Sequence, residues 1–345
     1  MMKAIQYVAA RDCQFRDLPI PEVEPDDVLV RVRSAGICRT DIEVYDGEMF
    51  YLSSGLTRTP MIPGHEWAGE IVEIGKNVQV LAVGDRVTGE CSVGCRKCDY
   101  CRRGWYNQCP NRTETGLLNR NGGFAEYVVM PQFNVFPIGD LDFDQAATIE
   151  PTGIALYPTK LAQVSPNDYV AVVGDGPIGL FMVQTARAYG ARKVFLIGGQ
   201  PERMEIGLLL GADLTISHRA SNIAGLIAEA THGHMVDVVL EAVGQPGAWE
   251  IIAQILAPRA RVMMTGLFAG KTCPINFDPL VVGNITVQGT VGAPNCWEEC
   301  ITLHERGILK SASLVTHHFP LHDFESAIET SRTRRDGAIK VMLHP

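Results

Sequence analysis

The turn Gly174-Asp175-Gly176-Pro177-Ile178-Gly179 follows the apolar run Tyr169–Val173 and opens the amphipathic stretch Ile178–Tyr189. A G-x-G-x-x-G pattern placed between a strand and a helix narrows the possible folds sharply. The first glycine permits the tight turn, the second lets the backbone approach a pyrophosphate, and the third lets helix pack on strand. The helix start, with Pro177 and Ile178, then turns unpaired N–H groups and a positive dipole end toward phosphates. The competing reading is a glycine-rich turn with no ligand. Downstream, Lys193–Ile197 reads as a strand, Glu202–Leu210 as a helix ending at Gly211, Val236–Leu240 as a strand, Gly247–Leu256 as a helix and Arg261–Thr265 as a strand. Strands alternating with helices of this length predict βαβ units on a doubly wound parallel sheet, an α/β architecture.

Before about residue 150 the rhythm differs. Short alternating runs such as Val28–Val32, Ile71–Ile74 and Phe124–Val129, punctuated by Gly and Pro, predict an irregular, mostly antiparallel β domain. From about Ile285 the pattern is mixed again and ends in the strand-like Ala338–Leu343, consistent with a C-terminus that rejoins the first domain. A length of 345 residues accommodates two domains, and 46% hydrophobic with 20% charged residues describes an ordinary globular protein. The net charge of −9, with basic residues scattered, argues against nucleic acid as a partner. No charged-then-apolar leader opens the chain and no apolar run is long enough for a bilayer, so the expectation is a cytoplasmic protein without membrane contact. In that setting the 10 cysteines are metal ligands and buried thiols rather than disulfides.

Cys95-x2-Cys98-x2-Cys101-x7-Cys109 is a spacing that a tetrahedral metal closes. The segment around it is rich in Arg, Gly, Asp and Asn and has little core of its own, so a metal would supply its organisation. Four free thiols or two disulfides are the alternative. A second constellation consists of Cys38-Arg39-Thr40-Asp41, Gly64-His65-Glu66 and Glu150-Pro151. Thiolate, imidazole and carboxylate are the usual ligands of a catalytic zinc that keeps a position open. Taken singly, His65 also reads as a satisfied core histidine, Cys38 as a small apolar filler and Glu150 as a helix-end charge.

Gly64-His65-Glu66-x2-Gly69-x5-Gly75-x2-Val78 resembles the signature of the zinc-containing medium-chain alcohol and polyol dehydrogenases. The cysteine spacing and the nucleotide turn stand in the order that family has them, so the resemblance covers essentially the whole chain. It implies a GroES-like catalytic domain (residues 1–152 and 286–345, with a zinc lobe at about 91–110) around a Rossmann domain (153–285), the active site lying in the cleft between them. It implies a structural Zn2+ on Cys95, Cys98, Cys101 and Cys109. Cys38 and His65 match catalytic zinc ligands, Glu66 is similar to the carboxylate that ligates zinc in the polyol branch, and Glu150 stands where polyol enzymes have a glutamate. Thr40 matches the hydroxyl of the proton relay, Asp41 the carboxylate that orients the zinc-bound histidine, and Arg39 resembles a pyrophosphate-binding arginine.

The implied reaction interconverts a secondary alcohol and its ketone by hydride transfer to NAD(P). Gly292 and Ala293 replace the Arg-Tyr pair of sorbitol dehydrogenases, and the aromatic-glycine pattern of threonine dehydrogenases is missing. The expected substrate is therefore a secondary alcohol on a polyol, sugar or cyclitol. The alternatives are a simple secondary-alcohol or threonine dehydrogenase, or a non-catalytic nucleotide-binding relative. No carboxylate follows the strand Lys193–Ile197, where an NAD enzyme holds the ribose. Gly198 and Gly199 leave room for a 2′-phosphate, Gln200 stands where an arginine would have decided the matter, and Arg203, His218 and Arg219 are counter-charges, so the reading leans to NADP over NAD, with dual use open. Relatives pair the strand near Ile285–Thr290 with a symmetry mate, implying a homodimer or homotetramer. His317, His318 and His322, and His232 with His234, read as solvated histidines rather than metal tracts.

Overall fold

The computed structural model describes all 345 residues. The chain divides into two compact units: Met1–Glu150 with Gly292–Arg306 and Ser311–Pro345, and Pro151–Val291 with Gly307–Lys310. No helix is long and apolar enough to cross a membrane.

The first unit is built on a seven-stranded sheet. Its spatial order is Val135–Pro137, Arg86–Gly89, Glu66–Ile74, Asp27–Gly36, Lys340–His344 and Val315–Pro320, with Tyr127–Pro131 also paired to Asp27–Gly36. In Asp27–Gly36, Val30 and Val32 are buried while Arg31 and Arg33 between and beyond them are exposed, the period of two that a strand with one wet face requires. Tyr7, Val30, Trp67, Ile71, Phe124, Phe324 and Leu343 meet in its core. The C-terminal strand joins this sheet antiparallel, with Met342 opposite Gly36, while Gly36 faces Glu66 on its other side. Any side chain at Gly36 would collide with the Glu66 carboxylate, so this glycine makes room for a buried charge. The four-cysteine lobe carries little regular structure: the two-residue strand Ser92–Val93, paired to Thr113–Thr115, the short helix Asp99–Arg102 and the single turn Tyr106–Gln108.

The second unit is a six-stranded parallel sheet. In spatial order its strands are Leu214–Ser217, Lys193–Gly198, Tyr169–Val173, Val236–Glu241, Leu256–Met264 and Thr286–Gly289. Numbered by sequence this is the order 3-2-1-4-5-6 of a doubly wound dinucleotide-binding sheet. Tyr169–Val173 is buried at every residue, as a central parallel strand covered on both faces must be. The helix after the glycine turn spans Pro177–Ala188 with Gly176 as its N-cap. Proline suits the first position because its missing N–H has no partner there anyway. A side chain on Gly179 would run into the Gly174 carbonyl, whereas one on Gly176 would meet no protein atom within 4 Å. The turn is thus tight against the sheet and open outward. Thr286–Gly289 pairs parallel with Leu256–Met264, so the parallel sheet runs beyond the boundary at residue 285 expected from sequence, and the unit ends at Val291. The strand Leu214–Ser217 and helix Ile223–Ala230 have no counterpart in the sequence reading, because only Ile216 of that strand is buried and its pattern is weak.

Candidate active site and metal centres

Cys38 stands two residues past the end of Asp27–Gly36 and caps the helix Arg39–Asp46. The Asp41 carboxylate, fully buried, accepts from the Cys38 N–H at 2.8 Å through one oxygen and from the Gly64 N–H at 3.3 Å through the other. The second oxygen also lies 3.5 Å from His65 Nδ1. One carboxylate therefore fixes the cap of a helix and the entry to the strand Glu66–Ile74 together. The outcome is that single ligand atoms from Cys38, His65 and Glu66 lie within 4.8 Å of one another. Ligands on a tetrahedral zinc stand roughly 3.3–3.8 Å apart, so small side-chain adjustments close the set. The Thr40 hydroxyl is 3.7 Å from the Cys38 sulfur.

A residue that the sequence reading did not single out completes the cluster. Lys340, 3% exposed, donates from Nζ to both Glu66 oxygens at 2.6 and 2.7 Å and to the Ile37 carbonyl at 3.2 Å. The visible signal was one lysine inside the apolar strand Lys340–His344. Burial works against its charge, but Glu66 and Cys38 more than offset that and raise its pKa. Burial likewise disfavours the His65 imidazolium, yet Asp41 and Cys38 pull its pKa well up. Glu150, in the first turn of Ile149–Leu161, is pushed to about 7 by burial, with Glu66 adding to the rise and His65 opposing it. Glu150 stands outside the close trio but within reach of its charges. The Cys38 thiol and the Glu66 and Glu150 carboxyl groups act on Lys340, while Asp41 faces His65. Thiol, imidazole and carboxylate are soft and borderline donors that suit zinc.

In the lobe, ligand atoms of Cys95, Cys98, Cys101 and Cys109 also fall within 4.8 Å of one another. The Cys98 and Cys109 sulfurs are 3.7 Å apart, and none of the four is in a disulfide. Backbone N–H groups of Lys97 and Cys98 bring the Cys95 thiol down to about 6, while burial pushes Cys101 up to about 12. A set of four sulfurs with one thiolate already favoured fits a closed zinc site.

In the glycine turn, the Asp175 carboxylate accepts from the N–H groups of both Gly199 and Gln200 at 2.7 Å. The His218 ring lies against Gly199, with Nδ1 3.0 Å from the Gly198 carbonyl oxygen. His218 and Arg219 are exposed, whereas Arg203 is only 6% exposed. No acid stands after the second strand, but the Asp175 carboxylate, from the turn itself, is bonded to the backbone there.

The described geometry agrees with what the chain is similar to. Residues 24–140 match the alcohol dehydrogenase GroES-like domain, and residues 177–306 match the zinc-binding dehydrogenase family. Sorbitol dehydrogenase of Bacillus subtilis (strain 168) is 30% identical over 345 residues, covering 100% of this chain and 97% of that one. The chain belongs to the zinc-containing medium-chain alcohol and polyol dehydrogenases. L-threonine 3-dehydrogenase of Shewanella frigidimarina (strain NCIMB 400) is 31% identical over 331 residues, 95% of each chain. A zinc-binding dehydrogenase of Sinorhizobium meliloti 1021, solved bound to NADP, superposes with a TM-score of 0.92 at 29% identity, covering 100% and 99% of the two chains.

As a member of this family the protein is an NAD(P)-dependent zinc oxidoreductase acting on an alcohol or polyol. Of the residues expected from sequence, the structure gathers Cys38, Thr40, Asp41, His65 and Glu66 around one point. Arg39 projects from that helix, 67% exposed at its side chain, with Glu43 3.4 Å away. The histidines His234 and His317 are engaged by Asp237 and Thr316 at 2.8 and 2.9 Å, as befits surface residues.

Proposed function

We propose that the Cys38–His65–Glu66 cluster is the catalytic metal centre, with Glu150 as the further donor reached directly or through water, and that it oxidises a secondary alcohol of a polyol, sugar or cyclitol. The close approach of a thiol, an imidazole and a carboxylate beside the Thr40 hydroxyl carries this reading. Bound zinc supplies a Lewis acid for the substrate oxygen, and the nicotinamide supplies the hydride partner. The chain's own residues do the rest. Asp41 holds the orientation of His65 and of the Cys38 backbone. Thr40 offers a hydroxyl through which a proton from the substrate oxygen leaves the buried site. Lys340 holds the Glu66 carboxylate in place, and Glu66 would be one of the groups that hold the metal. Retention of ligand set and relay together argues for an enzyme over a nucleotide-binding relative.

The four cysteines of the lobe are assigned to a structural zinc. Gly292, with φ +65°, and the buried Ala293 leave little side chain near Ser92 and Asn107. The absence of the Arg-Tyr pair of sorbitol dehydrogenases at Gly292 and Ala293 supports a substrate other than sorbitol. The glycine turn is assigned to the dinucleotide pyrophosphate. NADP is assigned as the better-held nucleotide because Gly198-Gly199-Gln200 offers no acid of its own, and the nearby Asp175 carboxylate is occupied by the Gly199 and Gln200 N–H groups. The edge strand Thr286–Gly289 is exposed along its length, and Leu267, Phe277, Val281 and Val282 near it are 59–83% exposed. An apolar face of this kind beside an open edge supports a homodimer or a dimer of dimers. Ten free cysteines support a reducing, cytoplasmic compartment.

A panel of polyols, cyclitols and amino alcohols, read by nicotinamide absorbance with each nucleotide, tests the function. Turnover of a polyol or cyclitol is the expected result. Turnover confined to threonine or to simple secondary alcohols would replace it.

A further inference from the structure

We propose that Asp144, His318 and His344 form an additional metal site, for a divalent first-row transition ion, separate from both zinc centres. His318 lies on Val315–Pro320 and His344 ends Lys340–His344; these strands pair in parallel, with His318 opposite Met342 and Pro320 opposite His344. The two histidines are therefore diagonal neighbours on one face, since side chains alternate with a period of two. Their rings stack at 19° with centroids 5.4 Å apart. Asp144 comes from the helix Phe143–Ala147, whose cap is the Asp142 side chain accepting from the Gln145 N–H at 2.8 Å.

The three side chains converge. His344 Nε2 is 2.8 Å from one Asp144 oxygen and His318 Nδ1 is 3.3 Å from the other. The Ser34 hydroxyl donates at 2.5 Å to the same Asp144 oxygen that His344 meets, which fixes the carboxylate. One ligand atom from each of the three falls within 4.8 Å of the others, the spacing that also marks the two zinc centres. Side-chain exposures of 49%, 40% and 27% for His318, His344 and Asp144 leave the group open to a hydrated ion. A cavity of about 450 Å³, lined also by Arg33 and Gln145, adjoins it and holds space for water ligands.

Two imidazoles and one carboxylate select zinc, nickel, cobalt or copper over magnesium or calcium, which take oxygen ligands. Three protein ligands leave positions to water, so the ion binds more weakly than at a closed site. The sequence grouped His318 with His317 and His322, but the fold takes its partners from positions 144 and 344. An ion here ties the last strand, which also carries Lys340, to the helix at Phe143–Ala147.

Untagged protein, dialysed until only its tightly held zinc remains, is titrated calorimetrically with Zn2+ and separately with Ni2+. The expected result is one further equivalent, held at about micromolar strength, that is lost in both His318→Ala and His344→Ala. Added Zn2+ raises Tm in the wild type and not in these variants, while turnover without added metal is unchanged. His318→Gln and His344→Gln, which keep a polar side chain, serve if the alanine variants fold poorly. No further equivalent in the wild type would overturn the proposal and leave a plain hydrogen-bonded clamp. Undiminished binding in the variants would overturn it equally.

Discussion

The four-cysteine lobe and the Cys38–His65–Glu66 cluster both gather ligand atoms within the same distance, but they differ in what holds them apart from a metal. The cluster stands where three neighbouring strands of a large sheet end. Asp41 supplies its hydrogen bonds, and Lys340 already neutralises one of its carboxylates. The lobe has a two-residue strand, one four-residue helix and a single turn, and three of its four cysteines are partly exposed. The comparison teaches that the same element serves two purposes. On the proposed assignment, a metal in the lobe is part of the fold, whereas in the cluster the fold is complete and a metal adds chemistry.

The sharpest way to break this contrast is His65→Ala. Turnover should fall by about 10³-fold or more, roughly 4 kcal/mol of transition-state stabilisation, while Tm stays close to the wild type. Near-normal turnover would remove the cluster from catalysis. Cys98→Ser should behave in the opposite sense. It should lower stability by about 3 kcal/mol or more and open the 91–110 segment to proteolysis, while the catalytic metal stays bound. A variant as protease-resistant as the parent would show that the lobe holds itself.

Lys340→Met probes how far the cluster is independent of its ion. Removing one partner of a buried pair costs about 3–5 kcal/mol. The loss should be largest in chelator-treated protein and smaller with zinc, which meets the Glu66 charge in place of the lysine. Equal losses in the two states would place Glu66 away from the metal.

Glu90 joins the lobe to the sheet, accepting from the Tyr106 hydroxyl at 3.0 Å. Burial raises its carboxyl to about 8, with its hydrogen bonds opposing the rise. The folded state therefore binds more protons than the unfolded one between the ordinary carboxyl pKa and 8, and stability falls as pH rises through that window. Glu90→Gln should flatten this slope, and an unchanged slope would assign it to other groups. The smallest effect is expected for Asp175→Asn. Removing a negative charge beside Gly199 should shift kcat/KM toward NADP by at most about tenfold, or 1.4 kcal/mol. A shift toward NAD would mean that Asp175 does not face the ribose side.

Local patterns in the sequence carried much of this architecture. The glycine turn, the strand–helix rhythm and the cysteine spacing are contiguous signals, and each is visible without knowing the fold. A lysine within the apolar run Ala338–Leu343 marks a buried charge but not its partner, and Lys340 meets Glu66 across 274 residues. Asp175 was hidden by convention: the acid was sought after the second strand, while a carboxylate 24 residues earlier reaches that backbone. The strand near Ile285–Thr290 was legible as an edge, but its place in the parallel sheet was not, because an exposed edge strand lacks the apolar run of a central one.

The central claim is that two metal centres with separate duties lie in one chain, and metal content tests it most directly. Zinc is measured in exhaustively dialysed wild type, Cys38→Ser and Cys98→Ser. The account predicts about two ions per chain in the wild type and about one in each variant, with activity lost in the first variant and stability lost in the second. A single zinc in the wild type that disappears completely with Cys38→Ser would contradict it.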